Sequence, residues 1–188
     1  MRNLLTATAL TLLAGQAGAT GLEIVVAGEG GEKGTVTIDL LEDVAPKHVE
    51  QITALASEGA YDGVVFHRVI EGFMAQTGDV QYGASGAEGF DMRRAGMGGS
   101  DRPDLPAEFS DISFDRGVVG MARSQNPNSG NSQFFIMFEP GPFLNGQYTV
   151  VGRVTEGMDV VDQIKLGEGR NGEVSGEPDR MVSVTVTE

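Results

Sequence analysis

Short runs of β-branched and aromatic residues recur along this chain, and glycine-rich polar stretches cut each one off early. Residues 22–27 and 35–41 are two such runs on either side of Gly28-Glu29-Gly30-Gly31-Glu32, a pattern that predicts an opening hairpin. Residues 117–121, 133–138, 149–155 and 182–187 read as further strands. Only two stretches change period. Residues 45–56 place Val49, Ile52, Leu55 and Ala56 at helical spacing, with Pro46 suited to a first turn and Gly59 as a stop. Val160, Val161 and Ile164 predict a second, shorter helix before the closing strand. Many short strands with two isolated helices predict a mainly β domain, a small barrel or sandwich plugged by helices. A chain of 188 residues holds one sizeable core and not two. With no Trp, that core rests on Val, Ile, Leu, Met and nine Phe.

The stretch Val64-Val65-Phe66-His67-Arg68-Val69-Ile70 alternates like a strand, which puts Phe66, Arg68 and Ile70 on one face and Val65, His67 and Val69 on the other. An arginine therefore stands among apolar neighbours. Glu71-Gly72 breaks the run, and Phe73, Met74 and Gln76 follow. Alone, such a strand most often carries an ion-paired arginine. A second block changes the reading: Gly120-Met121-Ala122-Arg123, then Ser132-Gln133-Phe134-Phe135-Ile136, then Phe143-Leu144-Asn145-Gly146-Gln147-Tyr148.

Together these motifs closely resemble the cyclophilin family of peptidyl-prolyl cis-trans isomerases, whose signature run Phe-His-Arg-Val-Ile-x-Gly-Phe-Met-x-Gln is met at residues 66–76. The family's usual Gly-Gly-Asp ending stands here as Thr77-Gly78-Asp79. The likeness spans about residues 22–188. It implies a closed antiparallel barrel of eight strands with a helix over each open end and an active groove on the outside. It also implies roles. Arg68 and Gln76 would be the catalytic pair, Gln76 binding a substrate carbonyl. Phe73, Met74, Phe135 and Leu144 would line a proline pocket, while Ala122 and Gln133 flank the residue before proline. Arg123, Phe143 and Tyr148 complete the substrate-binding set.

Rotation about an X-Pro bond breaks no covalent bond, but amide resonance opposes it with a barrier of about 18–20 kcal/mol. A catalyst must hold the proline, exclude water and donate a hydrogen bond to the imide nitrogen as its lone pair localises. Arg68 suits that task, because a guanidinium offers several N–H groups in a planar fork and stays charged. No metal and no cofactor are needed. His67 is expected to be buried and structural, on the face opposite Arg68. The chain has no Gly-x-Ser-x-Gly elbow, no Cys, no His-Glu-x-x-His and no phosphate-cradling loop, which removes hydrolase and metal readings. The competing class is a non-catalytic chaperone module that binds proline peptides without turning them over.

Three positions depart from the commonest cyclophilin text: Arg123 stands for a frequent Asn, Phe143 for Trp and Tyr148 for His. The loss of the Trp N–H implies only weak cyclosporin binding. Residues 82–103 form a long Gly-rich polar segment, expected to be a mobile loop that tunes substrate preference.

Residues 1–19 have a basic start at Arg2, an apolar run over 4–13 and a small-residue site at Ala17-Gly18-Ala19, which predicts a secretory signal peptide cut near Ala19. A single Arg favours the general secretory route, and the absence of Cys leaves no residue to acylate. Residues 20–188 would then be the isomerase domain, periplasmic and monomeric, with no membrane contact after cleavage. Its partners would be proline-containing polypeptides. Loss of Arg2 takes the formal charge from −14 to −15, a balance that repels nucleic acid and anionic lipid heads.

Overall fold

Eight strands make one antiparallel sheet in this computed structural model, which describes residues 20–88 and 90–188. The signal segment expected at 1–19 lies outside the described residues. In chain order the elements are β1 (Gly21–Gly28), β2 (Gly31–Leu40), α1 (Pro46–Ser57), β3 (Arg68–Ile70), β4 (Met74–Thr77), β5 (Val118–Met121), β6 (Phe134–Met137), β7 (Val150–Glu156), α2 (Met158–Val161) and β8 (Arg180–Thr187). A 3₁₀ turn, Pro142–Leu144, precedes β7. In space the strands run β3-β4-β6-β5-β7-β2-β1-β8.

The sheet curls but its end strands do not pair as a ladder, so the closed barrel expected from the family likeness is an open curl at strand level. β3 is only three residues long, ended by the Glu71-Gly72 turn, and its outer edge is taken by the 167–174 segment, through the Arg68–Glu173 bridge and the Val69 N–H that donates to the Gly172 carbonyl at 2.7 Å. The segment just before it stitches the seam instead. Val65 bridges Arg180, Phe66 N–H donates to the Asp179 carbonyl at 2.8 Å, and Met181 N–H donates to the Val64 carbonyl at 2.9 Å.

The central strands are buried on both faces, and their period of two sorts two cores. Inside the curl lie Phe134 and Ile136 of β6, Val119 and Met121 of β5, Ala75 of β4 and Val151 of β7, with Ile24, Ile38, Tyr61 and Met181. Outside it, Phe135, Met137, Val118, Met74 and Val150 gather around Phe114 and Leu144. α1 turns Val49, Ile52, Leu55 and Ala56 inward, as their spacing requires, and packs near β8; α2 lies against β2.

The alternation read through residues 65–70 does not hold throughout. Phe66 joins the inner core with Val69, while Ile70 packs against the outer one. Strand geometry begins only at Arg68, because Phe66 and His67 are irregular chain between the Val65 bridge and β3. Phe66 therefore does not share a face with Arg68.

Candidate active site

The register of four strands lays a row of residues across the outer face. Arg68 stands opposite Gln76, Gln76 opposite Phe135, and Phe135 opposite Gly120. Gly120 is glycine for room: a Cβ there would come within 2.5 Å of both the Phe114 and Phe135 rings. The next row, Ile70, Met74 and Met137, supplies an apolar floor.

A recess of about 410 Å³ opens over this row. Arg68 and Gln76 form one side, with Phe73, Met74 and Phe135 below. Leu144, buried on the 3₁₀ turn, closes the floor, and Phe143, 62% exposed, leans on Phe73 with ring centroids 5.4 Å apart. Tyr148 meets the Phe135 ring edge-on at 5.8 Å, and Ala122 and Arg123 complete the rim. Every residue expected at the site lines this recess except Gln133, which lies in an adjoining polar recess of about 460 Å³. Gln76, Ala122 and Arg123 belong to both.

Arg68 has no carboxylate partner among the described residues. Its Nε donates to the Asn171 carbonyl at 2.8 Å and its Nη1 to Gln76 Oε1 at 3.2 Å. Gln76 Nε2 donates to Gln133 Oε1 at 3.0 Å, and Gln133 Nε2 donates to the Gly96 and Gly98 carbonyls at 3.1 and 2.7 Å. The order of these bonds fixes both amides. Two carbonyls demand the Gln133 NH₂, which turns its oxygen to Gln76, which in turn presents its own oxygen to the guanidinium.

Residues 24–186 match the family described as cyclophilin type peptidyl-prolyl cis-trans isomerase/CLD. The chain belongs to the cyclophilin-type peptidyl-prolyl cis-trans isomerases. It is 64% identical over 154 residues to a probable peptidyl-prolyl cis-trans isomerase of Brucella suis biovar 1, covering 81% of this chain and 78% of the relative. To peptidyl-prolyl cis-trans isomerase-like 1 of Emericella nidulans it is 36% identical over 138 residues, covering 73% of this chain and 80% of the relative. Cyclophilin AquaCyp293 from Hirschia baltica has a similar structure, with a TM-score of 0.70 at 28% identity over 88% of this chain and 73% of that one. A cyclophilin-type isomerase of Cryptosporidium parvum shares the fold, with a TM-score of 0.70 at 24% identity over 90% and 98% of the two chains.

In this cyclophilin the segment expected to be a mobile loop is tied down along its second half. Asp79, fully buried, accepts N–H bonds from Gln81 and Tyr82 at 3.1 and 2.9 Å through one oxygen, and from Gly96 and Gly98 at 2.7 and 2.9 Å through the other. Asn131 Oδ1 takes the Ser100 N–H at 2.7 Å. Composition alone predicts flexibility; the structure adds anchors, since one carboxylate takes the Tyr82, Gly96 and Gly98 N–H groups of the segment. Gly78 lets Asp79 reach this place: its φ is +87°, and a Cβ would stand 2.6 Å from the Ser132 carbonyl oxygen.

Sequence reasoning missed Asn171 and the 96–98 turn because both act through main-chain carbonyls, which no residue type announces. Gln147 was missed as well, although it sits inside the motif that carries Leu144 and Tyr148.

His67 is buried as expected, and neither ring nitrogen has a hydrogen-bond partner. A Cβ at Gly96 would come within 2.6 Å of its ring, so the anchored turn packs directly on it. Burial pushes the imidazole down to about 4, the Asp79 charge opposing and the Arg68 charge reinforcing that fall. An unfolded chain has an ordinary histidine at about 6.5 and so binds this proton more readily than the native state does. The stability from neutral His67 is complete above about pH 6.5 and is lost as pH falls toward 4. Urea unfolding should show a loss of about 2 kcal/mol between about pH 7.5 and pH 5. Carboxylates held low, such as Asp162 by its hydrogen bonds from Arg116, titrate below that window. A flat stability across it would mean that His67 is hydrated in solution.

Proposed function

We propose that this chain accelerates rotation about X-Pro bonds by seating the proline in the apolar recess and donating a hydrogen bond from Arg68 to the prolyl imide nitrogen. One observation carries this reading: a guanidinium with no ion-paired carboxylate among the described residues is held at the edge of an apolar recess by Gln76 and the Asn171 carbonyl. The donor gains strength only as the bond twists, so it favours the transition state over either isomer. A barrier lowered by about 7 kcal/mol gives roughly 10⁵-fold acceleration. Gln76 binds a substrate carbonyl with the amide face that the Gln133 bond leaves free.

The substrates are proline-containing segments of folding or flexible exported proteins, met in the periplasm after cleavage near Ala19. What supports export is the basic, apolar and small-residue order of residues 1–19. A monomer fits the surface of the described residues, where the large exposed apolar side chains Met97, Phe109, Phe143, Leu166 and Val182 are few. Magnetisation exchange between the isomers of a short Ala-Pro peptide tests the proposal. Binding without faster exchange would leave the non-catalytic chaperone reading in its place.

Cyclosporin should bind weakly, because Phe143 offers a ring at the rim but no N–H. Phe143→Trp should tighten inhibition by about tenfold, the value of one neutral hydrogen bond, with little change in peptide turnover. Unchanged inhibition would shift the cause to Tyr148 or the anchored loop.

A further inference from the structure

Arg123 stands in the wall shared by the apolar and the polar recess. Its guanidinium lies over the Tyr148 ring, 4.3 Å from the centroid. Nε and Nη2 donate to the Gln147 carbonyl at 3.2 and 2.9 Å, and Nη1 donates to the Ser124 carbonyl at 2.9 Å. Of the five N–H groups of an arginine, three are thereby engaged and two remain. All three acceptors are neutral carbonyls. Elsewhere Arg93, Arg102 and Arg116 are paired with Asp91, Glu58 and Asp162, but no carboxylate pairs with Arg123 among the described residues. The one carboxylate lining either recess is Asp104, and its Oδ1 is already taken by Asn131 Nδ2 at 2.9 Å.

A strongly acidic protein thus keeps a fixed, unneutralised cation between its two recesses. We infer that Arg123 is a specificity-determining residue that selects polypeptides carrying a carboxylate one or two positions before the proline. The inference rests on the isomerase reading above, because it takes the proline to occupy the apolar recess. The chain preceding that proline has to cross the Ala122–Arg123 wall, and an extended chain advances only about 3.3 Å per residue. A side chain at either of the two preceding positions therefore reaches the guanidinium. Stacking on Tyr148 and three bonds to main-chain oxygens hold the fork in place before substrate arrives, so little side-chain freedom is lost on pairing. The net charge of −14 works against an acidic substrate at long range, but salt at physiological strength screens charges beyond about 8 Å, and this contact is closer.

The test is kcat/KM on four peptides of one length, with Ala, Glu, Gln or Lys at the two positions before proline. Wild-type protein should prefer Glu over Lys roughly three- to tenfold at low ionic strength, as expected for an attraction replaced by a repulsion at a half-exposed site. The preference should shrink in 1 M salt. In Arg123→Gln the ratio should fall to one or below, and Arg123→Lys should keep part of it. A merely structural role for Arg123 would slow all four peptides alike and leave the ratio in place, which would overturn the inference, as would a wild-type ratio near one. No acceleration of the Ala peptide would instead overturn the isomerase reading itself.

Discussion

Arg68→Ala is expected to lower kcat/KM on an X-Pro peptide by roughly two to three orders of magnitude, a loss of about 3–4 kcal/mol of transition-state stabilisation, with the fold intact. The size of the effect follows from what no neighbour can replace. Gln76 and Gln133 are neutral amides already committed to each other, and Arg123 is engaged by the Gln147 and Ser124 carbonyls on the opposite rim. The fold should survive because Arg68 packs outside both cores, on Asn171, Gln76 and the Met74 sulfur. Arg68→Lys separates charge from geometry. It keeps the cation but loses the fork that binds Gln76 and Asn171 at once, so most of the activity should still be lost. Exchange spectroscopy on the folded variants, checked by thermal unfolding, gives the answer. Near-wild-type turnover of the alanine variant would remove Arg68 from the mechanism.

Much of this site is legible in the sequence because side-chain identity carries it. The run from Phe66 to Gln76 contains an arginine, an amide and two apolar floor residues, and the β3–β4 register brings them together. The alternation of β6 likewise sorts Phe134 and Ile136 inward from Phe135 and Met137 outward. Legibility ends where the main chain acts. Asn171 contributes a carbonyl to Arg68, and Gly96 and Gly98 contribute carbonyls to Gln133. Their residue types say nothing of it. Phe66 shows a second limit, since alternation predicts a face only while the chain remains a strand. The open seam between β3 and β8 is a third: strand count can be read from pattern, but closure depends on what pairs with the edge strand, and the 167–174 segment takes the outer edge of β3.

Asp79 is the residue through which the long loop and Arg68 are joined, and Asp79→Ala should cost both stability and turnover. Its carboxylate is fully buried and accepts from four main-chain N–H groups on two separate turns. Hydrogen bonds to a charged group are worth about 1.5–3 kcal/mol each, but the Gly96 and Gly98 donors are only half-buried and recover some water, so a net loss of about 3 kcal/mol is expected. For a chain of this length that lowers Tm by roughly 6–12 °C. Turnover should fall as well, by about tenfold at temperatures where the variant is folded, through a chain of orientation. The freed turn no longer presents its two carbonyls to Gln133, so that amide is free to rotate. Gln76 then loses the partner that holds its oxygen toward Arg68. Asp79→Asn separates the two consequences. Its single carbonyl oxygen can serve the Gln81 and Tyr82 N–H groups, but its NH₂ then faces the Gly96 and Gly98 donors with nothing to accept. Stability should therefore fall less than in the alanine variant while turnover falls about as much, in kcat rather than KM. An asparagine variant with wild-type kcat would confine Asp79 to folding and break the link from the anchored loop to Arg68.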